Sequence, residues 1–318
     1  MNSIILEKIR AVILGHAVAD AVGVPAEFRS RSSLDKNPIT DMQGYGTYHL
    51  PAGCWSDDTT MNLAALDSLA QGRVDFDDIM EKFLGWVEHG DYTPEGRLFD
   101  IGITCKEAIL RYRSGTPALL CGACDEYSNG NGSLMRILPF ILFALYGNYP
   151  GDSIQLYHNA SALTHGHMRS KIACGIYGIL IEELLSNPSK ATIAQALADA
   201  EKVYRNEPEL VHYSRLFDPD FAITPRHLIR SSGYVVDSLE AAIWCVLNTQ
   251  SYRDCVLMAV NLGSDTDTVA AIAGGMAGAL YGMDSIPMDW LQQLKRLDFI
   301  EFILLAFAEQ TEQQQCRR

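Results

Sequence analysis

Two short segments, far apart in the chain, combine carboxylates with hydroxyl groups. Residues 55–61 read WSDDTTM, and residues 263–268 read GSDTDT. Four aspartates brought together repel one another, since two carboxylates about 4 Å apart cost roughly 4 kcal/mol at an effective dielectric near 20. If the fold unites the two segments, divalent cations between the carboxylates are the simplest physical reason.

The donor atoms of these segments indicate which metal they would bind. Both segments, together with nearby Glu27, offer oxygen and contain no Cys or His. Oxygen donors suit Mg²⁺, Ca²⁺ or Mn²⁺ and argue against structural zinc, and neither segment has the spacing of an EF-hand loop. The alternative is that Asp57 and Asp265 only cap helices, because Asp is a favoured N-cap residue. Two such segments in one chain favour the metal.

Composition limits the class of protein. The 318 residues are 48% hydrophobic, and a formal net charge of −14 disfavours nucleic acid or an anionic membrane as partner. No run of about 18 apolar residues suggests a membrane span. Residues 1–10 look amphipathic, unlike the core of a signal peptide. We therefore expect a cytoplasmic protein that does not associate with a membrane.

The cysteines are scattered and predict reduced thiols. Eight are present, several of them within helical patterns. Cys121 and Cys124 have the CxxC spacing, but no second pair completes a zinc site and no strand precedes them as in a thioredoxin motif. A redox or metal role for this pair is therefore disfavoured.

Helical periodicity dominates the chain and predicts an all-α fold, one compact domain over residues 1–318. The helical runs are residues 3–22, 61–71, 76–89, 103–113, 134–146, 170–185, 191–204, 237–248, 252–261, 268–281 and 289–308. Residues 46–50 are the best strand candidate, and 205–235 form the least regular internal stretch, placed at the surface near the site. Glycines in the run 269–280 weaken a helix by about 1 kcal/mol each relative to Ala. They indicate a central helix whose backbone packs closely against a neighbour and whose first turn carries Asp265 and Asp267.

Six ordered motifs resemble those of the ADP-ribosylglycohydrolase family, which includes the dinitrogenase reductase-activating glycohydrolase and the ADP-ribosylarginine hydrolases. They are GHAVADAVGVPAEF (15–28), WSDDT (55–59), FDIG (99–102), GNGSLMR (130–136), TH (164–165) and GSDTDT (263–268). The resemblance implies an all-α orthogonal bundle of many helices. It also implies a binuclear centre of two Mg²⁺ or Mn²⁺ ions.

The same resemblance assigns the metal ligands. Ser56, Asp57 and Asp58 would supply them from the first segment. Asp265, Asp267 and Thr268 would do so from the second. Glu27 matches an acidic residue that the family places beside the metals. Glu27 and the four aspartates carry five negative charges, close to the four positive charges of two divalent ions.

Residues 129–133 (NGNGS) precede a helix predicted over 134–146 with Arg136 in its first turn. Glycine lets backbone approach a ligand, and a helix N-terminus favours anions such as a diphosphate. The resemblance implies that ADP-ribose contacts Gly102, Asn131, Gly132, Ser133 and His165. It also places Asp100 near the bond that is cut; on its own, Asp100 would cap a helix beginning near Ile101.

The resulting hypothesis is a metal-dependent hydrolase that removes ADP-ribose from a protein side chain, most readily arginine. Glu27, Asp57 or Asp100 would accept a proton from water. The partners expected are the ADP-ribosylated protein and the product ADP-ribose. Three alternatives remain: a non-catalytic ADP-ribose-binding protein, a protein that blocks a toxin physically, and a haloacid-dehalogenase-like phosphatase, which the missing βα alternation disfavours.

Overall fold

The structure is a computed structural model that describes residues 3–315, a stretch made of α-helices joined by loops and short 3₁₀ turns. The α-helices are α1 Ser3–Gly23, α2 Arg31–Lys36, α3 Asp57–Leu69, α4 Phe76–His89, α5 Ile103–Arg113, α6 Leu138–Tyr146, α7 Ser153–Ala162, α8 Met168–Ser186, α9 Lys190–Tyr204, α10 Val235–Asn248, α11 Tyr252–Val260, α12 Thr266–Tyr281, α13 Met288–Gln293 and α14 Leu297–Gln315. Residues 3–315 contain no β-strand, only two isolated bridges. The prediction of an all-α fold is confirmed.

Helix α12 runs through the middle of the molecule against α1, as its small residues predicted. A Cβ added at Gly274 would lie 2.3 Å from the Cβ of Ala19 and 2.5 Å from the carbonyl oxygen of Gly15. No side chain fits there, so the two helix backbones are in direct contact. This contact explains why α12 tolerates glycines that weaken a helix.

Helix α1 corrects the expectation that no segment has membrane-span character. The stretch Ile4–Ala26 is long and apolar enough to cross a membrane by length and composition, with a mean hydropathy of 1.4. In the fold, 94% of the 18-residue window that meets this hydropathy criterion is buried inside the protein. Its apolar surface therefore belongs to the core. Met1 and Asn2 of the predicted amphipathic start lie outside the described residues.

Two predicted helices differ from those observed. The run 134–146 becomes helical only at Leu138, because Pro139 fits the first turn of a helix and not its interior. The run 289–308 is divided into α13 and α14. Between them Arg296 adopts a positive φ of 45°, and the amide of Lys295 donates to the carbonyl of Gly53 outside any helix.

Two helices were not anticipated. Helix α2 is only six residues long. Helix α7 carries many polar residues, which hid its periodicity, but Asp152 caps it by accepting from the amide of Ile154. The strand candidate 46–50 is a turn, since the amide of His49 donates to the carbonyl of Gly46.

The irregular stretch 205–235 contains three 3₁₀ segments, Pro208–Phe217, Phe221–Ile223 and Arg226–Leu228. Its end reaches the site described below, because the carbonyl of Gly233 accepts from the amide of Asn131 at 3.0 Å. Seven cysteines lie within the described residues; all are free thiols, and Cys124 is the exposed one among them.

Candidate metal centre and substrate cleft

The first acidic segment forms the start of α3. Ser56 is the N-cap, and its hydroxyl accepts from the amide of Asp58, so Asp57 lies in the first turn and is not the cap. Buried Asp20 of α1 holds this turn: its carboxylate accepts from the amide of Ser56 at 3.0 Å and from the amide of Thr59 at 3.1 Å. The Thr59 hydroxyl donates to the same carboxylate at 2.6 Å. The carboxylate of Asp20, on the far side of this turn, thus orients Asp57 and Asp58.

The second acidic segment forms the start of α12. Asp265 occupies the N-cap position, yet its side chain makes no capping hydrogen bond. Instead its Oδ2 accepts from the Nδ2 of Asn131 at 2.8 Å. The Thr266 hydroxyl donates to the carbonyl of Gly23, and a Cβ at Gly23 would lie 2.4 Å from the Cα of Asp267. The end of α1 therefore meets the start of α12. Helix capping does not explain the aspartates.

The fold unites the two segments. The hydroxyl of Thr268 donates to Oδ2 of Asp58 at 3.2 Å. Single carboxylate oxygens of Glu27, Asp265 and Asp267 all lie within 4.8 Å of one another. This separation suits one cation shared among three carboxylates.

Two oxygens of the cluster are left for a ligand to satisfy. Oδ1 of Asp58 and Oδ1 of Asp267 are buried and have no hydrogen-bond partner within the described chain. Buried acceptors without a partner are costly, and a cation would satisfy both. The donor set fits a hard divalent ion, since it consists of oxygens alone.

Burial and mutual repulsion raise the pKa values of the cluster. Burial, with Asp100 adding, raises the pKa of Glu27 to about 8. For Asp57, too, burial and then Asp100 hold the pKa well above its usual range. Burial raises the pKa of Asp100, which contacts Tyr48 and Asp57. These carboxylates therefore resist ionisation together unless positive charge is placed among them.

A cleft of about 310 Å³ opens onto this cluster. The predicted residues that line it are Glu27, Asp57, Asp100, Gly102, Asn131, Gly132, His165, Asp265 and Thr268. Ser56, Asp58 and Asp267 are buried beneath it, each about 1% exposed. The cleft is thus lined by carboxylates together with the glycine loop and His165.

The glycine loop passes close to the cleft, as expected. A Cβ at Gly132 would lie 2.6 Å from the Sγ of Cys105 and 3.0 Å from the Cε1 of His165, so a larger residue would displace these side chains. Ser133 does not line the cleft: it is fully buried, and its hydroxyl accepts from the Ser161 hydroxyl at 3.0 Å. The structure places Ser133 behind the loop as its support.

Arg136 does not lie at a helix N-terminus facing an anion, as its predicted position implied. It is fully buried, precedes α6 and stacks over Phe83 at 5.2 Å. Asp100 likewise does not cap a helix, because Gly102 is the N-cap of α5. The backbone amide of Gly102 points to Oδ2 of Asp57 at 3.4 Å.

Three site residues escaped the sequence reasoning. The Tyr48 hydroxyl donates to Oε2 of Glu27 at 2.6 Å, and its ring lies 5.1 Å from that of Phe99. Phe28, 70% exposed, stands at the rim of the cleft. Asp20 had a readable signal, since it is a charged residue within the otherwise apolar run 17–22. Tyr48 lies in an irregular loop, where no local pattern pointed to it.

The sequence is similar to that of known proteins. Residues 1–316 match the family described as ADP-ribosylglycohydrolase. The chain is 35% identical over 295 residues to the ADP-ribosylarginine hydrolase Tri1 of Serratia proteamaculans, with 91% of this chain and 75% of that protein covered. It is 33% identical over 293 residues to the ADP-ribosyl-(dinitrogen reductase) glycohydrolase of Rhodospirillum rubrum, with 91% and 90% covered.

A solved structure agrees with the sequence relatives. An ADP-ribosylglycohydrolase-related protein complex superposes with a TM-score of 0.81 at 29% identity, over 97% of this chain and 99% of that one. The resemblance drawn from the six motifs is confirmed.

Proposed function

Because the chain belongs to the ADP-ribosylglycohydrolase family, and is therefore a glycohydrolase, we propose that it removes ADP-ribose from modified arginine side chains of proteins with the help of two Mg²⁺ or Mn²⁺ ions. The observation that carries this proposal is the convergence of Glu27, Asp265 and Asp267 to within 4.8 Å at the floor of a cleft. Arginine is favoured because a cationic guanidinium leaving group suits a cleft lined by carboxylates. It is also the residue in the name of the Serratia relative.

The ligands proposed for the two ions are Ser56, Asp57, Asp58, Asp265, Asp267 and Thr268, with Glu27 beside them. When bound, such ions supply positive charge that polarises oxygens of the substrate and lowers the pKa of water. This chain's own contribution is to hold the ligands on two rigid helix starts and to exclude bulk water beneath the cleft. Preorganised sites of this kind are effective because little rearrangement is needed during the reaction.

Proton transfer is proposed for one of the three carboxylates that reach the cleft, Glu27, Asp57 and Asp100. All three line the cleft, where an ionised carboxylate can accept a proton from a bound water. The glycine loop and His165 would hold the ADP-ribose so that its anomeric carbon faces these groups. Replacing each carboxylate by its amide and recording the pH dependence of kcat/KM identifies the acceptor, since that variant alone loses the acidic limb.

The decisive experiment is a panel of peptides that carry ADP-ribose on arginine, serine or glutamate, assayed with Mg²⁺, with Mn²⁺ and with chelator. We expect release of ADP-ribose from the arginine peptide only when metal is present. Asp57→Ala should remain folded and lose at least about a hundredfold in turnover. Glu309→Ala, an exposed change on α14, serves as the control. Near wild-type turnover of Asp57→Ala with Mg²⁺ would reject the metal-centred mechanism.

Two other outcomes lead to the alternatives. Calorimetric binding of ADP-ribose without turnover of any peptide would favour a non-catalytic binding protein. Protection against a toxin by the inactive Asp57→Ala variant would favour physical blocking, with the stretch 205–235 as a contact surface. A cytoplasmic location is also proposed, consistent with the free thiols of the described cysteines.

A further inference from the structure

The two ring nitrogens of His165 have different surroundings. Its Nε2 faces the glycine loop of the cleft, where a Cβ at Gly130 would lie 3.4 Å away. Within the described chain Nε2 has no hydrogen-bond partner, although the residue is only 1% exposed. Its Nδ1 lies on the protein side, 2.9 Å from the hydroxyl oxygen of Thr164. One nitrogen is thus satisfied by the protein, and the other is left for a ligand.

The Thr164 hydroxyl also receives a hydrogen bond from a buried cation. Nη2 of Arg136 donates to the Thr164 oxygen at 2.7 Å and to the carbonyl of Ala160 at 3.0 Å. Arg136 is fully buried, and the titratable groups beside it are the thiols Cys105 and Cys174, with no carboxylate among them. Its Nε and Nη1 have no hydrogen-bond partner within the described chain. A guanidinium has donors and no acceptor, so the direction of this bond is certain.

The direction of the Arg136 bond determines the direction of the next one. A hydroxyl has one proton to give, and the Thr164 oxygen already accepts from a cation. Its proton is therefore best placed on the bare lone pair of Nδ1. In the opposite tautomer, the N–H of Nδ1 would point at the Thr164 oxygen, which already accepts a hydrogen bond from the Arg136 guanidinium. The Cys105 thiol is a weak competitor for the Thr164 proton, because burial raises the pKa of Cys105 to about 12 and a thiol sulfur accepts poorly.

We propose that Thr164, oriented by Arg136, is a positioning residue that keeps His165 in the tautomer with the proton on Nε2, so that His165 donates to an acceptor oxygen of ADP-ribose in the cleft. Burial, with Arg136 adding, lowers the pKa of His165 to about 3, so the ring is neutral at neutral pH. His165 is then a fixed donor and not a proton acceptor. That the ligand is ADP-ribose rests on the proposed function. The tautomer of His165 rests only on the contacts of Thr164 and Arg136.

The tautomer can be read directly in the ligand-free protein. With histidine labelled by ¹⁵N, two-bond ¹H–¹⁵N correlations at pH 7 distinguish a protonated ring nitrogen from a bare one. The signals of His165 are those that disappear in His165→Gln. We expect Nε2 protonated and Nδ1 bare in the wild type. The opposite pattern would overturn the proposal, and this measurement needs no variant of Thr164.

Matched variants of Thr164 test its role. Thr164→Val keeps the shape of the side chain and removes the hydroxyl; we expect mixed His165 tautomers and about tenfold weaker calorimetric binding of ADP-ribose. Thr164→Ser keeps the hydroxyl and should retain both the tautomer and the affinity. A merely structural role would weaken binding without changing the ring signals. An unchanged tautomer in a folded Thr164→Val protein overturns the role of Thr164.

Failure of the proposal and failure of the proposed function give different results. If the wild type shows the Nε2–H tautomer and binds no ADP-ribose, the recognition step and the proposed function are both rejected. If it binds ADP-ribose but Thr164→Val binds equally well, the function stands and the proposal is rejected.

Discussion

Thr268 and Asp58 are joined by a hydrogen bond of 3.2 Å although 210 positions separate them in the chain. Each belongs to the first turn of a helix, α12 and α3, so two helix N-termini meet at one point. The positive ends of both helix dipoles partly offset the charge of the aspartates gathered there. The helix dipoles offset only a small part of the repulsion among so many buried carboxylates. Metal occupancy should therefore control stability as well as activity.

Asp20→Asn should disturb the metal centre without removing a ligand. The two oxygens of Asp20 accept from two amides and one hydroxyl at the start of α3, whereas asparagine has one acceptor oxygen and adds unwanted donors. We expect about 2–4 kcal/mol lower free energy of unfolding and at least tenfold weaker Mn²⁺ binding. Denaturant unfolding and calorimetry measure the two effects. Asp67→Asn, at a half-exposed carboxylate of α3 that pairs with Lys82, is the control for Mn²⁺ binding. Wild-type Mn²⁺ affinity in Asp20→Asn would contradict the positioning role.

Removing metal should make stability fall with rising pH. Burial, with Asp100 adding, raises the pKa of Glu27 from 4.5 to about 8 in the folded metal-free protein. Between these values the unfolded chain has lost a proton that the folded protein still binds, so stability decreases as pH increases. In chelator we expect Tm to decrease as the pH is raised from about 5 to 8. Saturating Mg²⁺ should abolish this decrease because it binds the ionised carboxylates. Parallel melting curves with and without Mg²⁺ would exclude a cation at this site.

Tyr48→Phe should shift the acidic limb of the activity profile to higher pH. The Tyr48 hydroxyl donates to Glu27 and lowers the pKa of that carboxyl, opposing the effect of burial. Without the hydroxyl, a proton competes better with the metal ion for Glu27, so at a fixed, sub-saturating Mg²⁺ concentration kcat/KM at pH 7 should fall about tenfold and recover in more alkaline buffer. The pH dependence of kcat/KM is the measurement. Tyr45→Phe, whose side chain is 73% exposed, should match the wild type; an unshifted profile in Tyr48→Phe would show that Glu27 does not control activity.

Gly274→Ala should destabilise the protein although alanine is the better helix former. Its Cβ would lie 2.3 Å from that of Ala19, so α1 and α12 must separate. We expect a loss of about 1–3 kcal/mol in the free energy of unfolding. Gly85→Ala in α4 is the matched control: the nearest atom to its Cβ is Oδ2 of Asp91, at the end of a flexible side chain. That variant should be neutral or gain up to about 1 kcal/mol; equal effects of the two changes in denaturant unfolding would refute the close-packing argument.

Local patterns were sufficient to predict much of this protein. Helical periodicity located most helices to within a few residues, and the glycines of α12 indicated its close packing against a neighbour. The two oxygen-rich segments and the glycine loop were visible because each is contiguous in the chain. Patterns failed at Pro139, which delays α6, and at Arg296, where a hydrogen bond to distant Gly53 interrupts the last helical run.

The sequence by itself determined the all-α architecture and the oxygen character of the candidate metal ligands, because both depend on residue type and short spacing. Only the tertiary structure decided that Asp20 supports the ligands from behind, that Tyr48 contacts Glu27, and that Arg136 is buried against Thr164. These relationships join residues 21 to 36 positions apart, or depend on which groups are shielded from water. No periodicity encodes them, since burial and hydrogen-bond partners are properties of the packed chain.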